Sequence, residues 1–161
     1  TSEFGYFSFI LIAIERPKWN VVLSDISMEA IIISKKNSQL LNQNNIKLVC
    51  GDWLKPFRAN SFDFIFSNPP YISISDHRVD KSVLHNEPSS AIFSGIDGLD
   101  DIKEIIKSSK KILSDRGMLF MENGINQTNK ISHLLESNEF TDISIHLDYN
   151  NHDRFTSSRK K

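Results

Sequence analysis

Three short apolar runs, Val21–Ser24, Ile46–Cys50 and Phe62–Ser67, each end at a turn headed by a polar group: Asp25, Gly51-Asp52 and Asn68. Between the first two lies Met28–Leu41, with Ser27 as a fair N-cap and Ile31, Ile32, Leu40 and Leu41 at helical spacing. Strand, helix, strand, helix with short turns means a parallel sheet covered by helices, an α/β fold. Ligands of such folds gather at the carboxyl ends of the strands. All three polar clusters lie there, which sets them apart from unrelated polar residues.

The rest of the chain follows the same rhythm. Tyr6–Glu15 is apolar nearly throughout, and periodicity leaves helix and strand open. Pro17 closes it, because a residue before proline is pushed out of the helical region. Ile72 to Leu99 reads as a long polar loop with Gly95 and Gly98 as turn residues, and loops of that length are usually functional or flexible. Asp100–Leu113 is amphipathic, with Ile102, Ile105, Ile106, Ile112 and Leu113 on one face. Arg116-Gly117 then turns the chain into a strand over Met118–Glu122. A helix over Thr128–Ser137, a strand over Ile143–Leu147 and a polar tail from Tyr149 to Lys161 complete the reading.

The chain has 161 residues, enough for one domain and too few for two ordinary ones. Nineteen Lys and Arg against twenty Asp and Glu give a net charge of −1, which argues against a broad phosphate-binding face and so against direct nucleic-acid binding. The single cysteine, Cys50, excludes an internal disulfide framework and any multi-cysteine zinc site, and makes a reducing cytoplasm the simplest compartment. The densest apolar run, Tyr6 to Ile14, is short of the roughly 18–20 residues a membrane span needs, and it has no signal-peptide flanks.

Asn68-Pro69-Pro70-Tyr71 is the most informative stretch. Two prolines fix φ near about −65° and remove two amide donors. The Pro69 carbonyl then projects from a stiff turn, the Asn68 side-chain oxygen can point beside it, and the Tyr71 ring supplies a flat wall. Two acceptors and a flat wall suit a planar group bearing an NH2. Accepting both N–H bonds orients the nitrogen and favours the positive charge that develops as it attacks. No base is needed if the electrophile has an excellent leaving group, as a sulfonium methyl does. The bland alternative is that Pro-Pro only ends a strand and Tyr71 packs.

Asp25 can accept from both hydroxyls of a ribose, or can simply be an acid favoured at a helix start. Asp52-Trp53 can hold an adenine, acid to amine and indole to face, or can be a loop acid beside a half-buried ring. The five histidines show no metal-ligand spacing, and Asp97, Asp100 and Asp101 read as helix-start charges, so no metal is expected. No nucleophile–base pair stands out.

Nearly the whole length resembles the protein-glutamine N5-methyltransferases that modify peptide chain release factors, a branch of the S-adenosylmethionine-dependent class I methyltransferases. The resemblance is carried by Glu15-Arg16-Pro17, Val22-Leu23-Ser24-Asp25-Ile26-Ser27, Gly51-Asp52-Trp53, Phe62-Asp63-Phe64-Ile65 and Asn68-Pro69-Pro70-Tyr71-Ile72. It continues through Glu87-Pro88, Gly95, Asp97-Gly98-Leu99, Glu122-Asn123-Gly124, Gln127, Asp148-Tyr149 and Asp153-Arg154. The Asn-Pro-Pro-Tyr motif alone is shared with DNA adenine and rRNA guanine N-methyltransferases. The Glu-Pro, Glu-x-Gly-x-x-Gln and Asp-Arg segments together point to the glutamine branch.

The resemblance implies a Rossmann-like class I methyltransferase sheet with helices on both faces, S-adenosyl-L-methionine as cofactor, and a release factor as protein partner. Carried over by position, Asn68, Pro69, Pro70 and Tyr71 would hold the glutamine amide and do the catalytic work. Gly5, Asp25, Asp52, Trp53 and Asn68 would border the cofactor, and Glu87 and Pro88 would lie where a substrate loop approaches. The family's first strand and its Asp-x-Gly-x-Gly-x-Gly loop have no counterpart beyond Gly5, since the chain begins Thr1-Ser2-Glu3-Phe4-Gly5. The family's His in Glu-His-Gly is Asn123 here. The expectation is a partial catalytic domain over 1–161, lacking the first strand and the N-terminal helical domain, with a sheet that closes a gap or splits. The competing readings are a nucleic-acid amino-methyltransferase and a non-catalytic remnant.

Overall fold

A computed structural model describes residues 5–76 and 88–161. Of the expected site residues, Glu87 lies outside the described residues, as do Glu3 and Phe4. The chain divides into two units, Thr1–Pro56 and Phe57–Lys161.

In the first unit the apolar run that periodicity leaves open is a helix, α1, Gly5–Glu15. Ile10 and Ala13 are fully buried in it. Asn45 ties the end of α1, where carbonyls lack partners within the helix, to the turn that follows it. The Asn45 side-chain amide donates to the carbonyls of Ala13 (3.3 Å), Arg16 (3.4 Å) and Trp19 (3.0 Å). Helix α1 packs on β1 (Val21–Asp25) and on α2 (Met28–Leu40). Strand β1 pairs in parallel with β2 (Ile46–Cys50), from Val21 opposite Ile46 to Asp25 opposite Cys50.

Ser27 caps α2 as expected, its hydroxyl accepting from the Ala30 amide at 3.3 Å. The buried face differs from the expected one. It is Ala30, Ile31, Ser34 and Ser38, while Ile32 and Leu40 are exposed. With about 3.6 residues per turn, Leu40 falls opposite Ile31, so the two cannot share a face. The serines occupy the positions that do.

The second unit carries a mixed sheet in the order β3-β4-β6-β5. Strand β3 (Phe62–Ser67) lies parallel to β4 (Leu113–Glu122), and β6 (Asp153–Lys160) runs antiparallel between β4 and β5 (Phe140–Leu147). The six described strands thus form two ladders rather than one. Two expectations are corrected. The polar tail is mostly strand β6, and it occupies an interior position rather than an edge. Thr156, Ser157 and Ser158 are buried there. Thr156 donates to the Asn123 side-chain oxygen at 2.9 Å, and Ser157 pairs with His146 at 2.8 Å. Hydroxyls small enough to pack, two of them partnered by Asn123 and His146, replace the apolar residues that normally mark an inner strand. The Arg116-Gly117 turn lies within β4, as an irregularity in its pairing with β3 where Arg116 has φ +63°.

The stretch 72–99 also holds more structure than expected, with a short helix α3 (Ser89–Ile92) and a bridge between Ile72 and Phe93. Gly95 and Gly98 turn the chain at positive φ, as read. Helix α4 (Asp100–Ile112) buries Ile102, Ile105, Ile106 and Ile112 as expected, each contributing about 1.5–3 kcal/mol. It packs on β4 and on α5 (Thr128–Ser137), which covers β5 and β6.

Candidate functional site

Strand β3 delivers Asn68 at its carboxyl end. Pro69 and Pro70 are buried while Asn68 is exposed, so the turn is anchored by its prolines and presents its amide outward. Among the described residues, no group hydrogen-bonds the Asn68 side chain and no backbone amide donates to the Pro69 carbonyl.

Tyr71 is held from several directions. Its hydroxyl donates to Glu122 Oε1 at 3.1 Å and accepts from Arg154 Nη2 at 2.7 Å. Arg154 also pairs with Glu122 at 2.9 Å, and its guanidinium lies over the Tyr71 ring, 5.1 Å from the centroid. The Tyr71 carbonyl accepts from Gln127 Nε2 at 2.9 Å, and the oxygen of the same Gln127 amide accepts from the Gly124 backbone at 2.8 Å. Gly98 completes the packing at φ +72°, where an added Cβ would lie 2.4 Å from the Tyr71 carbonyl oxygen. Burial of the ring, with the Glu122 carboxylate beside the hydroxyl, pushes the phenol above its ordinary pKa.

Gly98, Glu122, Gln127 and Arg154, which carry the resemblance in the sequence, meet at Tyr71 in the fold, a convergence that their sequence positions do not announce. Glu122, Gln127 and Arg154 stand 51, 56 and 83 positions from it. No periodicity reports such pairings. The signal that the sequence does carry is that all four belong to the segments on which the resemblance rests. Asn123, behind Glu122, is fully buried and ties β4 to β6 through Thr156.

In the first unit, Asp25 ends β1 and Asp52-Trp53 follow β2, so parallel pairing brings them to the same end of the ladder. The Gly51 amide donates to the Asp25 carbonyl at 2.8 Å. Helix α1 returns to β1 through a short turn and packs on it, so its first residue, Gly5, comes to the same end. Asp25 Oδ1 accepts from the Ser27 amide at 2.6 Å, so half of the carboxylate does serve the helix start. Among the described residues nothing hydrogen-bonds its other oxygen. Asp52 pairs with Lys55. Trp53 sits at φ +45°, a conformation that costs a bulky residue about 1–3 kcal/mol. Such strain gathers at ligand sites.

Pro88 is exposed at the start of α3. Asp97 and Asp100 pair with Lys103 at the start of α4, the role their sequence position suggested. No helix among the described residues is long and apolar enough to cross a membrane.

Residues 4–156 match the family model described as a methyltransferase domain. The release factor glutamine methyltransferase of Francisella tularensis subsp. tularensis is 37% identical over 148 residues, 92% of this chain and 52% of that protein. The chain thus spans about half the length of the curated release factor glutamine methyltransferases it matches. Among solved structures, a methyltransferase from Pyrococcus furiosus superposes with a TM-score of 0.71 at 15% identity, covering 98% of this chain and 71% of that one. A phosphoethanolamine N-methyltransferase from Haemonchus contortus, solved with S-adenosyl-L-methionine, gives 0.62 at 11% identity over 98% of this chain and 47% of its own. These structures share the Rossmann-like α/β fold. With a family model matched over nearly its full length, the chain belongs to the methyltransferase-domain family.

Proposed function

We propose that the protein containing this chain methylates the side-chain amide nitrogen of a glutamine, in the Gly-Gly-Gln loop of a peptide chain release factor. The observation that carries this reading is the exposed Asn68 at the carboxyl end of β3, on a buried proline turn that leads directly to the braced Tyr71. The Asn68 side-chain oxygen and the Pro69 carbonyl would match the two N–H bonds of a primary amide. Holding both orients the nitrogen lone pair and stabilises the charge that grows on nitrogen as it bonds. Tyr71 packs on the amide plane. Glu87-Pro88 belongs to the segment by which a protein substrate would approach.

The residues at the end of β1 and β2 fit S-adenosyl-L-methionine. The Asp25 oxygen without a described partner suits ribose hydroxyls, the Asp52-Trp53 turn suits an adenine, and Gly5 heads a helix where backbone amides favour a carboxylate. When bound, this cofactor supplies a methyl group on a positive sulfur, so reactive that the amide needs no general base.

Tritium transfer from labelled S-adenosylmethionine by the complete protein tests the proposal. A release-factor domain with its Gly-Gly-Gln loop should take up label and duplex DNA should not. Label in DNA with none in the release factor would sink it in favour of a nucleic-acid amino-methyltransferase.

A further inference from the structure

Tyr71, Glu122 and Arg154 form a closed triangle in which each side chain meets the other two. Tyr71 has one hydroxyl proton, and it is directed at Glu122. One oxygen lone pair receives Arg154. The guanidinium covers one face of the ring, the geometry in which a cation and an aromatic face attract. The Arg154 and Glu122 side chains are only 30% and 20% exposed, so their attraction is less screened than a surface pair's. The raised phenol pKa keeps the donated proton on Tyr71. A second Arg154 nitrogen reaches the Asn123 carbonyl at 3.5 Å, linking the triangle to the buried join between β4 and β6.

We infer that Arg154 and Glu122 are positioning residues, which hold Tyr71 so that it meets the substrate through a ring face while its hydroxyl is committed to the brace. The inference rests on the reading of the Asn68–Tyr71 turn as an amide site. A hydroxyl that already donates to Glu122 has no proton to offer a substrate. What Tyr71 offers is the face that does not carry Arg154, and its angle is set by residues far away in sequence. Arginine suits the role because its fork bonds an acid and a hydroxyl at once while its central carbon lies 5.1 Å from the ring centroid, a combination that the point charge of a lysine ammonium does not supply.

The test is a double-mutant cycle in the complete protein with Tyr71→Phe, Arg154→Met and the pair, plus Arg154→Lys, each checked for folding by thermal melt. Methyl transfer to a release-factor domain should show kcat lowered by up to about 10²-fold in Arg154→Met, the cost of a small misplacement. Calorimetric affinity for S-adenosylmethionine should be unchanged, and Arg154→Lys should recover only part of the loss. If Arg154 acts through the Tyr71 hydroxyl, the double variant should lie within about threefold of the worse single one. Losses that multiply, or an unchanged kcat in Arg154→Met, would overturn the inference. Ring-13C tyrosine NMR gives an outcome independent of turnover. The signals that vanish in Tyr71→Phe should shift in Arg154→Met, and Arg154→Lys substitutes if the methionine variant does not fold. If wild type leaves the release factor unlabelled while those signals shift, the function proposal fails and the brace stands. Signals that do not move overturn the brace.

Discussion

The carboxyl ends of the β1–β2 and β3–β4 pairs carry the same kinds of residue, yet they are held differently. Asp25 is fixed by one backbone amide two residues along, and Asp52 pairs with a lysine three residues along, both local contacts. Tyr71 is fixed by Glu122, Gln127 and Arg154, all distant in sequence. The chemistry proposed for each end accounts for the contrast. Ribose hydroxyls rotate to meet a carboxylate, so a short side chain at a strand end is enough. An attacking amide nitrogen must be held to a fraction of an ångström, so its wall needs support from several elements.

The strongest way to break this comparison is Asn68→Ala in the complete protein. On the proposed reading it takes an acceptor from the attacking amide, and kcat for release-factor methylation should fall by about 10²–10³-fold. Cofactor affinity by calorimetry should fall far less; near-normal kcat would make Asn68 a strand terminator only.

Gly98→Ala attacks the support instead. The new Cβ would lie 2.4 Å from the Tyr71 carbonyl at a positive φ, and we expect about 1–3 kcal/mol of stability to be lost in denaturant unfolding. A variant as stable as wild type would show the Tyr71 turn to be loosely held.

Asp25→Asn probes the other end. The α2 start should survive, because an asparagine oxygen can still accept from Ser27. Affinity for S-adenosylmethionine should fall about tenfold for the lost charge-assisted bond. An unchanged affinity with a lowered melting temperature would leave Asp25 as a helix-start acid.

The smallest effect concerns Asp148, which holds the β5–β6 turn by accepting from the amides of Asn150 (2.8 Å) and His152 (3.0 Å). The backbone bond from His152 leads the effects that lower its carboxyl pKa. A depressed folded-state pKa contributes stability that is present above the unfolded value and lost as pH falls through the folded one. Amide exchange at His152 should therefore quicken relative to the rest of the sheet as the pH drops below the ordinary aspartate range, and Asp148→Asn should abolish that dependence.

Much of the fold was legible. The runs ending at Asp25, Cys50 and Ser67 are strands within a residue of where alternation and turn residues put them, and α4 buries the isoleucines its spacing selected. Strand β6 was not legible, because Asp153–Lys160 has one large apolar residue, Phe155, and that side chain is exposed. Its place depends on β4 and β5 supplying hydrogen-bond ladders on both sides, which is a property of the neighbours. For the same reason the serine face of α2 was missed: small polar residues can be buried when packing wants their size.

What this sequence determined by itself is local chemistry. It set which strands end in acceptors, where prolines stiffen a turn, which helix starts are capped, and the motif that ties the chain to its family. Tertiary structure alone decided that Arg154, Glu122 and Gln127 converge on Tyr71, and that a polar segment becomes an inner strand. Periodicity and turn preference act over a few residues, whereas a hydrogen bond between residues 71 and 154 exists only once β4 and β6 have paired.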